Sequence, residues 1–200
     1  MSDLIRDAAT IILLRKTNAG PQVLMGMRGA KAVFMPSKYV FPGGGVDAAD
    51  YGPVPVAIGA RCRARLAQHS MAEKVGAIGN AALRELHEET GLRLEGTMRF
   101  VFRAITPPGR TRRFDARFFM ADAEGLLNDP DDFSGASDEL SHLHWIALDQ
   151  ARSLALPFIT EVVLSEVQAV LQSEPTRPVP FFNHSEKGAS FSMLDAESEA

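Results

Sequence analysis

Residues 83–92 read LRELHEETGL, a helix-forming run that crowds Glu85, Glu88 and Glu89 together and then stops at Gly91. At about 100° per residue the three acids share roughly a 100° arc, beside an apolar stripe of Ala82, Leu83 and Leu86. Like charges at these spacings destabilise a helix by a few tenths of a kcal/mol per pair. Carboxylates near a helix C-terminus also oppose the macrodipole. Such a helix must dock its stripe on a sheet and offset its crowded charge. A hard divalent cation, Mg²⁺ or Mn²⁺, is the simplest compensation, because it takes carboxylate, water and phosphate oxygens. The alternative is a solvated acidic face.

Strands and helices alternate around this helix. AATIILLR (8–15) is β-branched and apolar and reads as a buried strand, with TNAGP as the turn to a hairpin partner at 22–28. A short extended piece at 39–41 runs into PGGG, and residues 53–70 become Ala/Arg-rich and helical. Residues 71–90 form one long helix closed by Gly91 at C′. Strands follow at 98–105 and 113–120, then an acidic loop at 128–139, a short strand at 143–147 and an amphipathic helix at 160–172. After Pro175 too few apolar positions recur for an element of its own. The expected class is mixed α/β, a mixed sheet sandwiched between helices.

A formal net charge of −4 gives no electrostatic case for nucleic acid or an anionic membrane surface. Arg110, Arg112, Arg113 and Arg117 leave a small anionic ligand open. One cysteine, Cys62, excludes an internal disulfide framework and a multi-cysteine metal site. No signal segment or membrane-length run is evident, so a cytoplasmic setting is expected.

The stretch R-E-L-H-E-E-T-G-L (84–92) resembles the second half of the Nudix box, G-x5-E-x7-R-E-U-x-E-E-x-G-U, at every defined position. A chance match in a chain this long is on the order of one in 10⁵. Gly44 takes the glycine position of the first half, and Asp50 stands where the family has Glu. Between Asp50 and Arg84 lie 33 residues where the family has seven, so 51–79 resembles an insertion within the box. Asp50, a shorter arm than Glu, is expected to reach its partner through water. The implied organisation is a Nudix hydrolase domain over 1–174 and a C-terminal tail over 175–200.

The resemblance implies metal-dependent hydrolysis of a nucleoside diphosphate linked to another moiety. Glu85, Glu88, Glu89 and the Gly44 carbonyl would hold Mg²⁺ or Mn²⁺. Glu85 would be third ligand or base, Arg84 would orient it, and Glu139 is a further candidate ligand or base. Arg112 and Arg113 could grip phosphate, and Phe34, Tyr39 and Phe41 could stack on a base. His87 points away from the glutamates, and His142 and His144 read as packing or surface residues. The insertion resembles the coenzyme A diphosphatase-like subgroup. Leu24, Arg28 and Phe41 fall on that subgroup's upstream signature, while Val33 and Ser37 stand where arginine and glycine are expected. Pro107, fifteen residues past Leu92, resembles a feature of ADP-ribose hydrolases instead. A catalytically silent nucleotide-binding Nudix module is the alternative of a different class. The expected partner is a small nucleotide-diphosphate substrate, with a homodimer left open.

Overall fold

The computed structural model describes residues 4–30, 32, 35–53, 58–173, 177–185 and 188–195. Phe34 and Val33, and part of the helix expected over 53–70, lie outside these residues, as does the 174/175 boundary.

Strands β1 (Ile5–Thr17) and β2 (Gly20–Arg28) pair as a hairpin next to their turn and then diverge. The first half of β1 pairs instead with β4 (Gly43–Gly45), and the far half of β2 pairs with β3 (Tyr39–Val40). The 39–45 segment is thus a wedge between two splayed strands, with Pro42 O accepting Ile11 N–H at 2.9 Å. The other edge of β1 runs parallel to β6 (Arg113–Asp122). Next to β6 come β5 (Arg99–Ile105), β8 (Val179–Ser185) and β9 (Gly188–Leu194). β7 (Leu140–Ala147) lies antiparallel on the outer edge of β2.

Helices cover both faces of this mixed sheet. Ala9, Ile11 and Leu13 face α1 (Ala60–Ala67) and α2 (Glu73–Thr90), whereas Ile12 and Leu14 face α3 (Phe158–Leu171). A strand buried on both sides reads as a continuous apolar run, which is why AATIILL carries no alternation. In β5 a register shift between Phe100 and Phe102 sends these two rings to opposite layers despite their even spacing.

The structure corrects two expectations. Within 53–70 only Ala60–Ala67 is α-helical among the described residues, starting after Gly59. The region after Pro175, read as lacking elements, forms the β8–β9 hairpin. Val179, Phe181 and Leu194 supply its buried face, and the free edge of β5 accepts β8 in parallel. Three apolar positions across a turn are too few for a periodic signal, but an available sheet edge completes them.

A buried charge cluster fastens residues 68–74, which run into the first turn of α2, to the sheet. Asp115 binds Arg103 through both oxygens at 2.9 and 2.7 Å and lies 3.2 Å from Arg117. Arg117 reaches Asp7 at 2.5 Å and Ser70 Oγ at 2.8 Å, and Lys74 reaches Asp7 at 2.7 Å. Arg103 donates to Gln68 O at 2.8 Å. Removing one member of such a cluster leaves the others buried and uncompensated, at about 3–5 kcal/mol. Asp115→Ala is therefore expected to lower unfolding free energy by about 3–5 kcal/mol in urea titration. A loss below about 1 kcal/mol, the range of exposed pairs, would show that solvent screens the cluster.

Candidate functional site

The packing of α2 sorts its acids by depth. Val75, Ile78, Ala82 and Leu86 recur at helical spacing and are buried under the sheet. Glu89 takes the next place along that stripe and is 2% exposed. Glu85 borders the stripe and is half-buried, while the Glu88 side chain is 53% exposed. The helix ends at Gly91 (φ 77°), whose N–H donates to His87 O at 2.8 Å. His87 itself is exposed.

Residues 43–45 pass directly beside these acids. Gly43 N–H donates to Glu89 Oε2 at 2.8 Å. A Cβ on Gly44 would lie 2.5 Å from Glu85 Cδ, so only glycine admits the carboxylate here.

Arg84 binds the two halves of the site together. Its Nε and Nη2 donate to Asp50 at 2.9 and 3.0 Å, and Nη2 also donates to Gly45 O at 2.9 Å. Its Nη1 serves Glu85 at 2.9 Å and Glu88 at 3.0 Å. Asp50 thus meets Arg84 directly, which corrects the expectation of a water between them. The reason is the short 3-10 turn over Ala48–Asp50, which lifts Asp50 inward; its Oδ2 accepts Asp47 N–H at 2.8 Å. Asn80 closes the neck of segment 51–79, donating to Asp50 O at 2.8 Å and Pro53 O at 3.2 Å.

The electrostatics follow from this geometry. Burial pushes the Glu89 carboxyl up to about 8, with Glu85 and Glu139 adding and Gly43 N–H and Arg28 opposing. Burial also raises Glu85; the Arg84 contact opposes it, and the charges of Glu88 and Glu139 add. Burial works against an Asp50 carboxylate too, but hydrogen bonds from Arg84 and Asp47 outweigh it and hold that group below the usual range.

Glu139 ends the acidic loop on an exposed position, and its charge reaches both Glu85 and Glu89. Arg28 pairs in register with Leu140, and its half-buried side chain keeps an Nε that makes no hydrogen bond among the described residues. Arg28 and Glu139 therefore join Arg84, Glu85, Glu88, Glu89 and Gly44 in one neighbourhood.

Four expected substrate contacts fall elsewhere. Phe41 is 4% exposed and packs in the core on the α3 side of the sheet, where it cannot stack on a ligand. Tyr39 packs against that same layer, edge-on to His144 at 5.7 Å. Arg113 is buried, donating to Thr106 O and His184 O at 3.0 and 2.6 Å. It faces Ile5, five residues along β1 from the Thr10 that pairs with Gly43, about 16 Å away. Arg112 is exposed on the same distant loop. Sequence reading missed Asn80, Arg103, Asp115 and Arg117 as organising residues. The signal was present in RRFDARFF, where charges alternate with phenylalanines in a strand that has no solvated face.

The donor set suits a hard cation, being all carboxylate and carbonyl oxygen. Among the described residues, no three acid, His or Cys side chains already converge on one point. Arg84 engages Glu85 and Glu88 itself.

The NUDIX domain model matches residues 71–165, which include the acidic helix but begin beyond Gly44 and Asp50. No curated protein matches by sequence. Among solved structures, the NUDIX hydrolase of Alicyclobacillus acidocaldarius is 23% identical, covering 86% of this chain and 98% of its own, at TM-score 0.64. The C. elegans Ap4A hydrolase binary complex is 19% identical, with 84% and 98% covered, at TM-score 0.57. The NUDIX domain of Shewanella oneidensis NrtR, complexed with ADP ribose, is 12% identical, with 84% and 89% covered, at TM-score 0.55. These three are likenesses of fold.

The depressed Asp50 carboxyl sets an acid limit for the site. A group lowered on folding contributes stability above its ordinary value of 3.8, and that contribution is lost as pH falls through the lower folded value. Thermal melts should therefore show Tm falling below about pH 4, and Asp50→Asn should flatten that part of the profile. An unchanged acid limb in Asp50→Asn would mean that the Arg84 contact carries no net stability.

Proposed function

With a NUDIX domain spanning the acidic helix, we propose that this chain is a metal-dependent Nudix hydrolase that cleaves the pyrophosphate bond of a nucleoside diphosphate linked to another moiety. The observation that carries the reading is the Arg84 clamp, which presents Glu85 and Glu88 beside buried Glu89 and under Gly44. We read 1–174 as the domain, 51–79 as an insertion in its box, and 175–200 as an appended tail whose hairpin extends the sheet. The lone Cys62 fits a reducing, cytoplasmic setting.

Glu85, Glu88, Glu89 and the Gly44 carbonyl would hold Mg²⁺ or Mn²⁺. When bound, the cation neutralises pyrophosphate charge and lowers the pKa of water. For Glu88 to serve as a ligand, Arg84 would release it, an exposed i,i+4 pair worth only about 0.3–0.5 kcal/mol. The bidentate Asp50 contact stays, so Arg84 keeps Glu85 oriented throughout. Glu85, or Glu139 on the facing loop, takes a proton from the attacking water. The water oxygen bonds to phosphorus, the bridging P–O bond breaks, and the leaving phosphate departs with its electron pair. Arg28 is the cation available to the substrate's phosphates.

Coenzyme A or acyl-coenzyme A is one substrate reading, resting on Leu24 and Arg28. ADP-ribose or another nucleotide sugar is the alternative, favoured by Pro107 and by the ligand named for the Shewanella neighbour. Ap4A, named for the C. elegans neighbour, shares the same phosphoanhydride chemistry. A silent nucleotide-binding module is the second reading, supported by Asp50 in the place of the family's Glu and by the long segment 51–79.

Phosphate-coupled hydrolysis with Mg²⁺ or Mn²⁺ across coenzyme A, ADP-ribose and diadenosine polyphosphates tests these readings. Turnover should need metal, and Glu88→Gln or Glu89→Gln should lower kcat by about 10²–10³-fold. Because the Glu89 carboxyl sits at about 8, it must lose a proton to bind metal. Apparent Mn²⁺ affinity should therefore rise from pH 6 to above 8 and flatten in Glu89→Gln. Bound nucleotide without turnover on any substrate would favour the silent module.

A further inference from the structure

The acidic segment 128–139 is keyed to the end of α2 at the level of the backbone. A Cβ on Gly91 would lie 3.0 Å from Gly135 Cα, and one on Gly135 would lie 3.3 Å from Gly91 Cα. Two residues on, Ser137 N–H donates to Glu88 O at 2.8 Å, filling one of the carbonyls that a helix end leaves open. Asn128 spans the same turn, with Nδ2 donating to Gly91 O at 3.2 Å and Oδ1 accepting Arg93 N–H at 3.0 Å. The outer side is fixed by Trp145 Nε1, which donates to Pro130 O at 2.9 Å. Arg15 binds both oxygens of Asp131 at 2.8 and 2.9 Å while lying 4.6 Å over the Trp145 ring. A segment held at this many points has few alternative seats of similar energy.

We propose that this loop is the positioning element that delivers Glu139 to Glu85 and Glu89, and that Gly135 is the residue that lets it seat. Glu139 lies two residues past Ser137 and next to Leu140, the register partner of Arg28. The backbone run that bonds to Glu88 therefore also carries Glu139. Its charge is felt at both Glu85 and Glu89, although the side chain itself is exposed. A branched side chain at 135 sets its Cβ 3.3 Å from Gly91 Cα, so the loop must shift there by at least a few tenths of an ångström, because the neighbour is backbone that cannot rotate aside. Glu139 moves with it. The bland account is that the loop only caps the helix, and the two accounts separate in a coupling experiment. The proposal rests on the hydrolase reading only in its expectation of turnover.

The test uses the full chain and Mn²⁺ alone as probe, with affinity read by electron paramagnetic resonance and Tm recorded alongside. Glu139→Gln and Gly135→Val should each weaken Mn²⁺ binding by about tenfold. The double variant should be no weaker than the weaker single, because both changes remove the same carboxylate from the site. Ser137→Ala keeps the N–H donor and should bind as wild type, while Ser137→Pro loses it and should resemble Gly135→Val. Additive losses in the double variant would overturn the proposal, as would wild-type affinity in Gly135→Val or Glu139→Gln, or a wild-type chain that binds no Mn²⁺. Should Gly135→Val fail to fold, the Ser137 pair decides on the same criterion. The expected Mn²⁺ pattern without hydrolysis of any substrate would sink the hydrolase reading and leave the positioning role standing.

Discussion

One guanidinium holds the candidate site in register. Arg84 spends its donors on Asp50, Gly45 O, Glu85 and Glu88, so it joins a turn ahead of segment 51–79 to a helix after it. Every other feature of the site depends on that junction. Gly44 lies over Glu85 because Gly45 is fastened to Arg84, and Glu89 accepts from Gly43 because the same strand is held down. The planar fork of arginine suits this duty, since one side binds a carboxylate through two parallel hydrogen bonds while the other stays available. Lysine, a point charge, could neutralise the acids but could not set their angles.

A second set of charges does comparable work deeper in the molecule. Arg103, Asp115, Arg117, Asp7 and Lys74 hold residues 68–74, up to the first turn of α2, against the sheet. Asn80 then ties the neck of that segment to the Asp50 carbonyl. A long excursion costs little in loop entropy, which grows only logarithmically with length. The harder requirement is bringing its two ends back to one place, and polar contacts meet it at both the root and the neck.

Much of this was legible in the sequence because local rules and tertiary demands agreed. The β1 core, the α2 helix, its Gly91 stop and the acid cluster all follow from periodicity and capping, and they stand where periodicity puts them. Other parts were hidden for identifiable reasons. Phe41 sits beside a glycine run that suggests a ligand, yet strand parity turns it into the α3 layer. Arg113 and Arg117 look like an anion patch, but a strand buried on both faces makes them internal partners for Asp115, Asp7 and main-chain oxygens. The depth of Glu89 was not visible either, because three acids at neighbouring spacings look alike until the apolar stripe is followed one turn further. The β8–β9 hairpin escaped because its strands draw order from the edge of β5 rather than from their own pattern.

That hairpin has a consequence for the order in which the molecule can be assembled. Phe181 lies 4.4 Å from the Arg103 guanidinium, Asp195 pairs with buried Arg65 at 3.2 Å, and the Asp195 carbonyl accepts from Gln68 at 2.6 Å. The helix α1 and the charges beneath it, which lie in the middle of the chain, are thus finished by residues 78 to 130 positions later. During synthesis the central segment emerges without its lid, and β5 waits with an open edge until β8 arrives in parallel. Contacts of such sequence separation are slow to form and close last. Arg65 and Arg103 therefore gain their cover from Asp195 and Phe181 only when the C-terminal strands are in place.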